Sequence, residues 1–424
     1  MKYWGILGGA FLGALLASCG RSETATPVSL VPYGDLHGAQ RLGNLKVLYD
    51  FKGGADGEFG TGGLIADASG NLFGTTANGG SQNSLCNGFG GCGTVYELMK
   101  SGKRYRERVL YRFQGAPDGN FPQYETLLAD ANGVLYGTTY IGGTGPGSQG
   151  LGAVFELTPS GRGYSEKIIY SFGSNDGGGG PLSGVISDAR GNLYGTASGG
   201  PLYGNGEVYK LVPSGSSYKR KVLYAFQNNG NDGNQPWGAL VRGRHGVLYG
   251  TTSAGGAYGF GTIFSLIPAQ NKYTERVIYG FGTNANDGKY PLTGLSFDGR
   301  NTFYGTTSQG GATGNGTVFK LSSSRESTLY NFGAAPDGSS PESPLLLRRG
   351  ELYGTTFYGG SAHLGTIYQL SLTGSEKILY SFDCGSTGVY PYAGVIADKL
   401  GHLFGATSGG CSTTRYLGAV FELH

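Results

Sequence analysis

GLIADASGNLFGTT, residues 63–76, is the stretch that decides the fold, because its last four residues recur as a motif along the whole chain. The motif is aromatic-Gly-(Thr/Ala)-(Thr/Ala); it occurs seven times, and a pair of glycines follows each copy. Its aromatic residues stand at positions 73, 136, 194, 249, 304, 353 and 404, at intervals of 49 to 63 residues. Repeats of this length with β-type sequences are typical of propeller blades or of a stacked array of sheets.

Each repeat contains four short runs with the composition of β-strands. In the first repeat they are GLIAD at 63–67, LFGTT at 72–76, GTVYEL at 93–98 and RVLYRF at 108–113. Val, Ile, Tyr, Phe and Thr are frequent in the runs, and Gly, Pro, Asn and Asp stand between them. Apolar residues occupy both faces of the runs, as expected of a sheet that neighbouring blades cover on both sides. The sequence therefore predicts an all-β fold.

The two ends of the repeat region complement each other. KVLYDF at 46–51 is a fourth run without predecessors, and GAVFEL at 418–423 is a third run without a successor. If the first segment completes the last blade, no large sheet edge stays unpaired. We therefore expect a seven-bladed β-propeller of four-stranded blades over residues 46–424, closed by the N-terminal strand. The alternative is an open β-array, which would need capping units at both ends.

The combined pattern LYxF…DG…P…DxxGNLYGTT…GG…GTVFKL is similar to the Gloeo/Verruco-type tandem repeat of choice-of-anchor proteins. The similarity covers residues 46–423. Some units depart from the pattern: DCGSTG at 383–388 replaces the Asp-Gly loop, and LRRGE at 347–351 replaces the DxxGN turn. The resemblance implies a surface-associated repeat protein, and it supplies no catalytic residues.

The N-terminus is typical of a bacterial lipoprotein. Residues 1–18 combine Lys2, an apolar run and Leu16-Ala17-Ser18 before Cys19, whose thiol is the predicted site of lipidation. A plain secretory signal or a membrane span with an incidental Cys is the alternative. Residues 19–45 are then a polar tether. The predicted location is the cell envelope of a bacterium, at the outer membrane or the cell surface, where the lipid anchor makes the membrane a partner.

Four further cysteines suggest two disulfides. Cys86 and Cys92 share the loop after the first glycine pair, and the repeat register brings Cys384 and Cys411 to one side of the seventh repeat. An exported protein resides where disulfides persist. A metal site is the alternative, but no CxxC motif or suitably spaced His accompanies these thiols, so no metal ligand is predicted.

Composition excludes some functions. The 31 basic and 28 acidic residues nearly balance and form no basic cluster, which argues against nucleic-acid binding. The glycine pairs open no helix, so they are not phosphate loops. Trp237 is the only Trp after the signal peptide, which argues against a quinone cofactor, and no cofactor is predicted.

Titratable residues form no evident catalytic constellation. Six units carry an Asp-Gly pair in the loop that enters a blade, and we interpret these carboxylates as caps of their own turns rather than as Ca²⁺ ligands. The histidines are spread over the tether, several loops and the last position: His37, His245, His363, His402 and His424. The sequence therefore favours a protein that is not an enzyme.

One face of the propeller is expected to be rich in aromatic loop residues. Trp237, Tyr290, Tyr390 and Tyr392 lie in loops that enter blades, and the loops near the glycine pairs add Tyr140, Tyr203, Tyr258, Tyr358 and Tyr416. Such rings stack on sugars or anchor protein partners, although they could simply cover the blade ends. We expect an anchored binding or scaffolding module for a glycan or a protein. The alternatives are a polysaccharide-active enzyme with carboxylates in the funnel and a purely structural surface protein.

Overall fold

The computed structural model describes residues 43–424, except for 87–89, 125, 146–149, 162, 174–178, 200–203, 216, 228, 271, 323–324, 385–387 and 411–416. Within these residues the secondary structure is almost entirely β, with one short 3-10 turn at Arg244–Gly246. None of the helical segments in the described part of the chain has the length and hydropathy needed to cross a membrane. The signal peptide, Cys19 and most of the tether lie outside the described residues.

The strands form seven antiparallel four-stranded sheets, so the predicted seven-bladed propeller is confirmed. Blade 1 contains β2 (Ile65–Ala66), β3 (Leu72–Thr76), β4 (Thr94–Ser101) and β5 (Arg104–Arg112), and blade 2 contains β7 (Leu128–Ala129), β8 (Leu135–Thr139), β10 (Ala153–Ser160) and β11 (Gly163–Ser171). Blade 3 contains β12 (Ile186–Ser187), β13 (Leu193–Ala197), β14 (Glu207–Ser214) and β15 (Ser217–Ala225), and blade 4 contains β17 (Val241–Arg242), β18 (Leu248–Thr252), β20 (Thr262–Ala269) and β21 (Lys272–Gly280). Blade 5 contains β23 (Ser296–Phe297), β24 (Thr302–Thr307), β26 (Thr317–Ser322) and β27 (Arg325–Asn331), and blade 6 contains β29 (Leu346–Arg348), β30 (Glu351–Thr356), β32 (Thr366–Ser371) and β33 (Glu376–Ser381). Blade 7 contains β34 (Ile396–Ala397), β35 (Leu403–Thr407), β36 (Ala419–Leu423) and β1 (Leu45–Asp50).

The N-terminal strand closes the ring, as the sequence predicts. β1 pairs with β36 from Leu45 opposite Leu423 to Asp50 opposite Ala419. The sheet order in blade 7 is β1-β36-β35-β34, so the first strand of the repeat region is the outermost strand of the last blade. Backbone groups of β36 that would otherwise form a free sheet edge are thereby paired.

Two-residue ladders join the loop that enters a blade to the loop that follows its second strand. They pair β6 (Gly119–Asn120) with β9 (Ile141–Gly142), β16 (Gly233–Asn234) with β19 (Ala254–Gly255), β22 (Gly288–Lys289) with β25 (Gln309–Gly310), and β28 (Gly338–Ser339) with β31 (Tyr358–Gly359). Single bridges take their place in blades 1 and 7. These two kinds of loop therefore share one face of the ring, which we call the entry face.

A hydrophobic cluster fills each of the seven boundaries between blades. Every cluster contains three aromatic rings in consecutive contact, which we call the aromatic relay. At the first boundary the Tyr111 and Phe113 ring centroids are 5.2 Å apart, and Phe113 lies 5.1 Å from Phe155 of the next blade in an edge-to-face arrangement. Such buried aromatic contacts supply area and fixed geometry together. The recurring aromatic residues of these clusters therefore pack blade against blade.

Two glycines show why the repeat conserves its own Gly positions from unit to unit. Gly354 of β30 lies opposite Tyr368, and a Cβ there would come within 2.5 Å of the Tyr368 Oη. Gly365 has a φ of +103°, and its Cβ would lie 2.6 Å from Cδ of Pro391 in the next blade. Any side chain at either position would push apart a strand pair or a blade boundary.

The motif threonines tie the structure together with hydrogen bonds. The Oγ1 atoms of Thr356 and Thr366 lie 2.8 Å apart within blade 6. Thr251 Oγ1 donates to the carbonyl of Thr293 in the next blade at 2.7 Å. In these two motifs the first threonine joins neighbouring blades, and the second joins two strands of one blade.

Candidate functional site

Each chain segment that leads from the entry face into a blade contains a residue with a positive φ, and this residue is fixed by hydrogen bonds. Tyr390 has a φ of +58°. Its N–H donates to the carbonyl of Leu364 in blade 6 at 2.9 Å, and its carbonyl accepts the N–H of Ser408 in blade 7 at 3.0 Å. The same backbone conformation occurs at Phe59, Phe121, Gly180, Gln235, Tyr290, Ser340 and Tyr390. Bonds to two blades hold this strained conformation in place.

The residue after the following proline lies between the entry loop and the first strand of its blade. The segments carrying these residues contact those of neighbouring blades: a Cβ on Gly394 would lie 2.5 Å from the carbonyl oxygen of Pro344, and one on Gly238 would lie 2.5 Å from the Gly294 nitrogen. We call these positions the mouth residues; they are Gln123, Leu182, Trp237, Leu292, Glu342 and Tyr392. Glu342 is the acidic member of a set that otherwise holds apolar and aromatic residues and one amide, Gln123.

Glu342 lies in a group of tyrosines that comes from three blades. Its carboxylate accepts a hydrogen bond from the hydroxyl of Tyr392. The ring of Tyr392 packs on that of Tyr124 from blade 2, with centroids 4.3 Å apart and planes at 32°. Tyr124 thus reaches past blade 1 to the ring of blade 7. Only 8% of Tyr392 is exposed, so the hydroxyl that contacts Glu342 is withdrawn from solvent.

More exposed rings extend this group toward solvent. Phe357 lies 5.2 Å from Tyr390 in a stacked arrangement and 5.6 Å from Tyr392. Tyr358 contacts both Phe357 and Tyr390, at 4.7 and 5.8 Å, and is 48% exposed. We call the set the mouth cluster; its members are Tyr124, Glu342, Phe357, Tyr358, Tyr390 and Tyr392.

Burial controls the ionisation of the mouth cluster. It raises the pKa of Glu342 to about 7, while the hydrogen bond from Tyr392 acts in the opposite direction. Burial, and after it the negative charge of Glu342, raises the pKa values of Tyr124 and Tyr392, which stay protonated donors at neutral pH. The cluster therefore offers one carboxyl group that changes charge near neutrality, beside hydroxyl donors and an exposed aromatic surface.

The predicted aromatic residues separate into two groups. Tyr358, Tyr390 and Tyr392 belong to the mouth cluster, and Tyr140, which is 37% exposed, packs against Gly180 and lies near Tyr124. Trp237 is a partly buried mouth residue in blade 4.

The second group lies at the boundary between blades 4 and 5. The ring of Tyr290 contacts that of Phe260 at 5.6 Å, and Tyr258 borders Phe260 across Gly282. Lys289 Nζ lies 4.4 Å from the centroid of Phe260. Tyr203 and Tyr416 lie outside the described residues.

Glu342, Tyr124 and Phe357 were not predicted from the sequence. A comparison of the residues that follow the entry-loop prolines would have found Glu342, because the equivalent positions hold Gln, Leu, Trp, Leu and Tyr and no other acid. Tyr124 was concealed by an extra residue between Pro122 and Thr126, which shifts it against the other repeats. Phe357 has no comparable feature in the sequence. It directly follows a threonine motif, and every other unit also has a residue at that position.

The family is decided by the repeat itself. The Gloeobacter/Verrucomicrobia repeat model matches residues 144–296 and 276–424. The chain belongs to this repeat family. No curated protein sequence matches this chain.

Solved structures share the fold of this family member. The chain is similar to the extracellular domain of a protein assigned as a one-component system of B. thetaiotaomicron, with a TM-score of 0.55 and 12% identity over 89% of this chain and 40% of that one. It is also similar to the GH74 xyloglucanase of Xanthomonas campestris, with a TM-score of 0.55 and 14% identity over 88% and 55% of the two chains. This chain thus spans about half the length of those proteins or less, and the likeness is one of fold.

The Asp-Gly pairs of the family repeat cap their own turns, as expected. Asp232 Oδ2 accepts the N–H of Gln227 at 2.7 Å and the hydroxyl of Tyr224 at 2.9 Å, and its Oδ1 accepts the N–H of Gly233 at 2.7 Å. Asp118, Asp287 and Asp337 have the same set of donors. These carboxylates are therefore committed to the loop that they stabilise.

A glutamate from the fourth strand of the blade that the loop enters lies beside each of five such aspartates. Burial, and after it the charge of Asp232, raises the pKa of Glu275 to about 7. The same holds for Glu107 beside Asp56, Glu166 beside Asp118, Glu326 beside Asp287 and Glu376 beside Asp337. Five boundaries between blades thus carry a carboxyl pair in which the glutamate resists ionisation.

These glutamates predict that the propeller loses stability as the pH rises. A carboxyl group with a raised pKa holds more protons in the folded than in the unfolded chain. Its stabilising effect is therefore complete below the pKa of the unfolded chain, about 4.5, and is lost as the pH rises through the pKa of the folded chain, about 7. We expect a higher Tm at pH 5 than at pH 8, measured by calorimetry. Replacing all five glutamates by Gln should flatten this dependence; a variant that keeps the wild-type slope would contradict the assignment.

One predicted disulfide is confirmed. Cys86 and Cys92 are bonded, with their Cα atoms 4.9 Å apart, and both side chains are fully buried in the loop after the first glycine pair. Cys384 is disulfide-bonded as well. Cys411 lies outside the described residues, so the pairing of these two residues stays a prediction.

The histidines are less scattered than the sequence indicated. His245 lies in the turn between the first two strands of blade 4, and His363 lies on the entry face. His402 and His424, however, meet in blade 7 with ring centroids 4.3 Å apart. The sequence analysis did not predict this contact. The missing information was the register of β35 and β36, which places residue 402 opposite residue 424.

Proposed function

We propose that this chain is a binding module of the bacterial cell envelope that holds a carbohydrate over the mouth cluster. The observation that carries the proposal is Glu342, an acid that breaks the repeat, close enough to the half-exposed Tyr358 for its charge to add to burial in raising the pKa of the tyrosine hydroxyl. Seven equivalent blades offer no reason for a unique ligand position, so a unique site must use residues that differ between blades. Glu342 and Tyr124 are such residues.

The chemistry of the cluster suits a sugar better than an extended protein surface. Tyrosine rings pack against the C–H faces of a sugar ring and offer hydroxyl groups at their edges. A carboxylate accepts hydrogen bonds from sugar hydroxyls, and such charge-assisted bonds are about twice as strong as neutral ones. Aromatic rings for stacking and an acid for hydrogen bonding thus lie within one small area of the entry face.

Catalysis is the alternative that Glu342 raises, because a carboxyl group with a pKa near 7 suits a general acid. Hydrolysis of a glycosidic bond ordinarily uses two carboxyl groups about 5–9.5 Å apart. The mouth cluster contributes one carboxyl group, that of Glu342. Glu125, which follows Tyr124 in the sequence, lies outside the described residues. Binding without turnover is therefore the function that we propose.

Replacing Tyr358 by Ala is expected to weaken carbohydrate binding at least about tenfold, since truncation of a central aromatic contact typically costs 1.4 kcal/mol or more. The measurement is a screen on immobilised oligosaccharides followed by titration calorimetry on the strongest hit. Tyr258→Ala is the matched control, because Tyr258 is 53% exposed on the same face but outside the cluster.

Three results of this screen would count against the proposal. If both variants lose affinity equally, the ligand is held elsewhere on the face. If no sugar binds but an envelope protein does, the module recognises protein. Release of reducing ends that Glu342→Gln abolishes would identify an enzyme.

The anchor is proposed from the lipobox alone. Cys19→Ala is expected to move the protein from the membrane fraction to the soluble fraction of the producing cells, because the thiol that receives the diacylglycerol is gone. Ser18→Ala keeps a small residue before the cysteine and should leave the protein in the membrane fraction. Immunoblots of the two fractions decide, and a Cys19→Ala protein that stays with the membranes would refute lipidation.

A further inference from the structure

A second polar cluster lies on the face opposite the entry face, in blade 7. Leu403 pairs with Leu423, and Phe404 pairs with Glu422, so His402 stands opposite His424 at the ends of β35 and β36. Side chains alternate along strands, and therefore His402, Glu422 and His424 project from the same side of the sheet. The strand register thus brings the imidazole of His402 next to Glu422 and His424, which lie 20 and 22 residues further along the chain.

The three side chains are close enough to share one ion. Their donor atoms all lie within 4.8 Å of one another. His402 Nδ1 is 3.8 Å from Glu422 Oε1, and His424 Nε2 is 3.5 Å from Glu422 Oε2. A tetrahedral ion with bonds of about 2.0–2.1 Å places its ligand atoms about 3.3–3.4 Å apart. Small side-chain rotations suffice to reach that spacing.

The surroundings favour a cation. Asp398 Oδ2 lies 3.0 Å from His402 Nδ1, and Asp398 is itself held by the backbone N–H groups of Gly401 and His402. Asp398 adds negative charge beside the site. Because it contacts Nδ1, the same nitrogen that faces Glu422, the His402 ring must turn so that one nitrogen holds the ion and the other keeps Asp398. Lys46 Nζ, 3.7 Å from Glu422 Oε2, is the positive charge that the ion would have to displace.

We propose that His402, Glu422 and His424 bind a divalent transition-metal ion of the Zn²⁺ type, with water in the remaining position. Two imidazoles and one carboxylate are a ligand set that zinc accepts readily. The ion would link the beginning of β35 to the end of β36, in the blade that closes the ring. It would therefore stabilise the closure rather than take part in ligand binding on the other face.

The test is a calorimetric titration of the full chain, purified without a histidine tag, with ZnCl₂. We expect one ion per chain, at least tenfold weaker binding in His402→Ala and in His424→Ala, and unchanged binding in His245→Ala. The matched control is an exposed histidine on the same face of another blade. Zinc should raise the Tm of the wild type and not that of His402→Ala.

Co²⁺ provides an independent readout, since a tetrahedral site gives intense visible absorption bands. Glu422→Gln keeps the side-chain shape and guards against a misfolded alanine variant; it should also weaken binding at least tenfold. Absence of saturable binding, or affinity that survives both Glu422→Gln and His402→Ala, would overturn the proposal. Equal losses in His245→Ala would do the same.

Discussion

Removal of residues 1–51 is expected to abolish the cooperative folding of the propeller, whereas removal of residues 1–42 leaves its Tm unchanged. The longer truncation deletes β1, which supplies the fourth strand of blade 7 and pairs with β36 over Leu45–Asp50. It also deletes Phe51, which is 3% exposed and contacts Tyr96 of blade 1 at 5.2 Å. The boundary between the last and the first blade would lose its aromatic relay, and β36 would become an open edge.

The magnitude follows from the buried ring alone. Phe51→Ala should cost about 3–5 kcal/mol, as is usual for a fully buried phenylalanine, and the whole strand costs more. Calorimetry and size-exclusion chromatography of the two truncations and the point variant measure the effect. A monomeric 52–424 fragment that melts at the wild-type temperature would show that the ring does not depend on its N-terminal strand.

Carbohydrate affinity is expected to fall about thirtyfold between pH 8.5 and pH 5.5, and Glu342→Gln should remove this dependence. The pKa of Glu342 is raised to about 7 by burial, so the carboxyl group is ionised at the upper pH and protonated at the lower one. If the ligand's hydroxyls bind the ionised form, each pH unit below the pKa costs up to a factor of ten in affinity. Glu342→Gln should bind weakly at both pH values.

Tyr392→Phe refines the same experiment. The Tyr392 hydroxyl donates to the Glu342 carboxylate and thereby lowers its pKa against the effect of burial. Its loss should raise the pKa of Glu342 and move the midpoint of the affinity curve to higher pH, without abolishing binding at pH 8.5. A wild-type affinity that does not change with pH, or a Glu342→Gln protein that keeps the wild-type slope, would exclude Glu342 from ligand contact.

The fold could be predicted because the same physical requirements recur seven times. A glycine opposite an aromatic ring, as with Gly354 and Tyr368, and a proline packed on a glycine of the neighbouring blade, as with Pro391 and Gly365, are local rules that leave a fixed pattern in the sequence. Ring closure was also predictable, because β1 has the pattern of an outer strand without the rest of its blade.

The candidate sites were predictable only in part, because repeats show which residues are equivalent but not which side chains meet. Tyr390 and Tyr392 could be assigned to the entry face from their loop. Their contact with Tyr124 depends on a one-residue shift in blade 2 that brings a ring past blade 1. His402 and His424 likewise come together through the pairing of β35 with β36, which no spacing in the sequence displays directly.

The central claim is that a ligand binds at the mouth cluster, and a crystal structure of residues 43–424 soaked in mixed oligosaccharides tests it most directly. We predict density for a sugar ring against Tyr358, with a hydroxyl within hydrogen-bond distance of Glu342. Sugar density at the boundary between blades 4 and 5, around Tyr258 and Tyr290, or a mouth cluster that stays empty at saturating sugar, would contradict it.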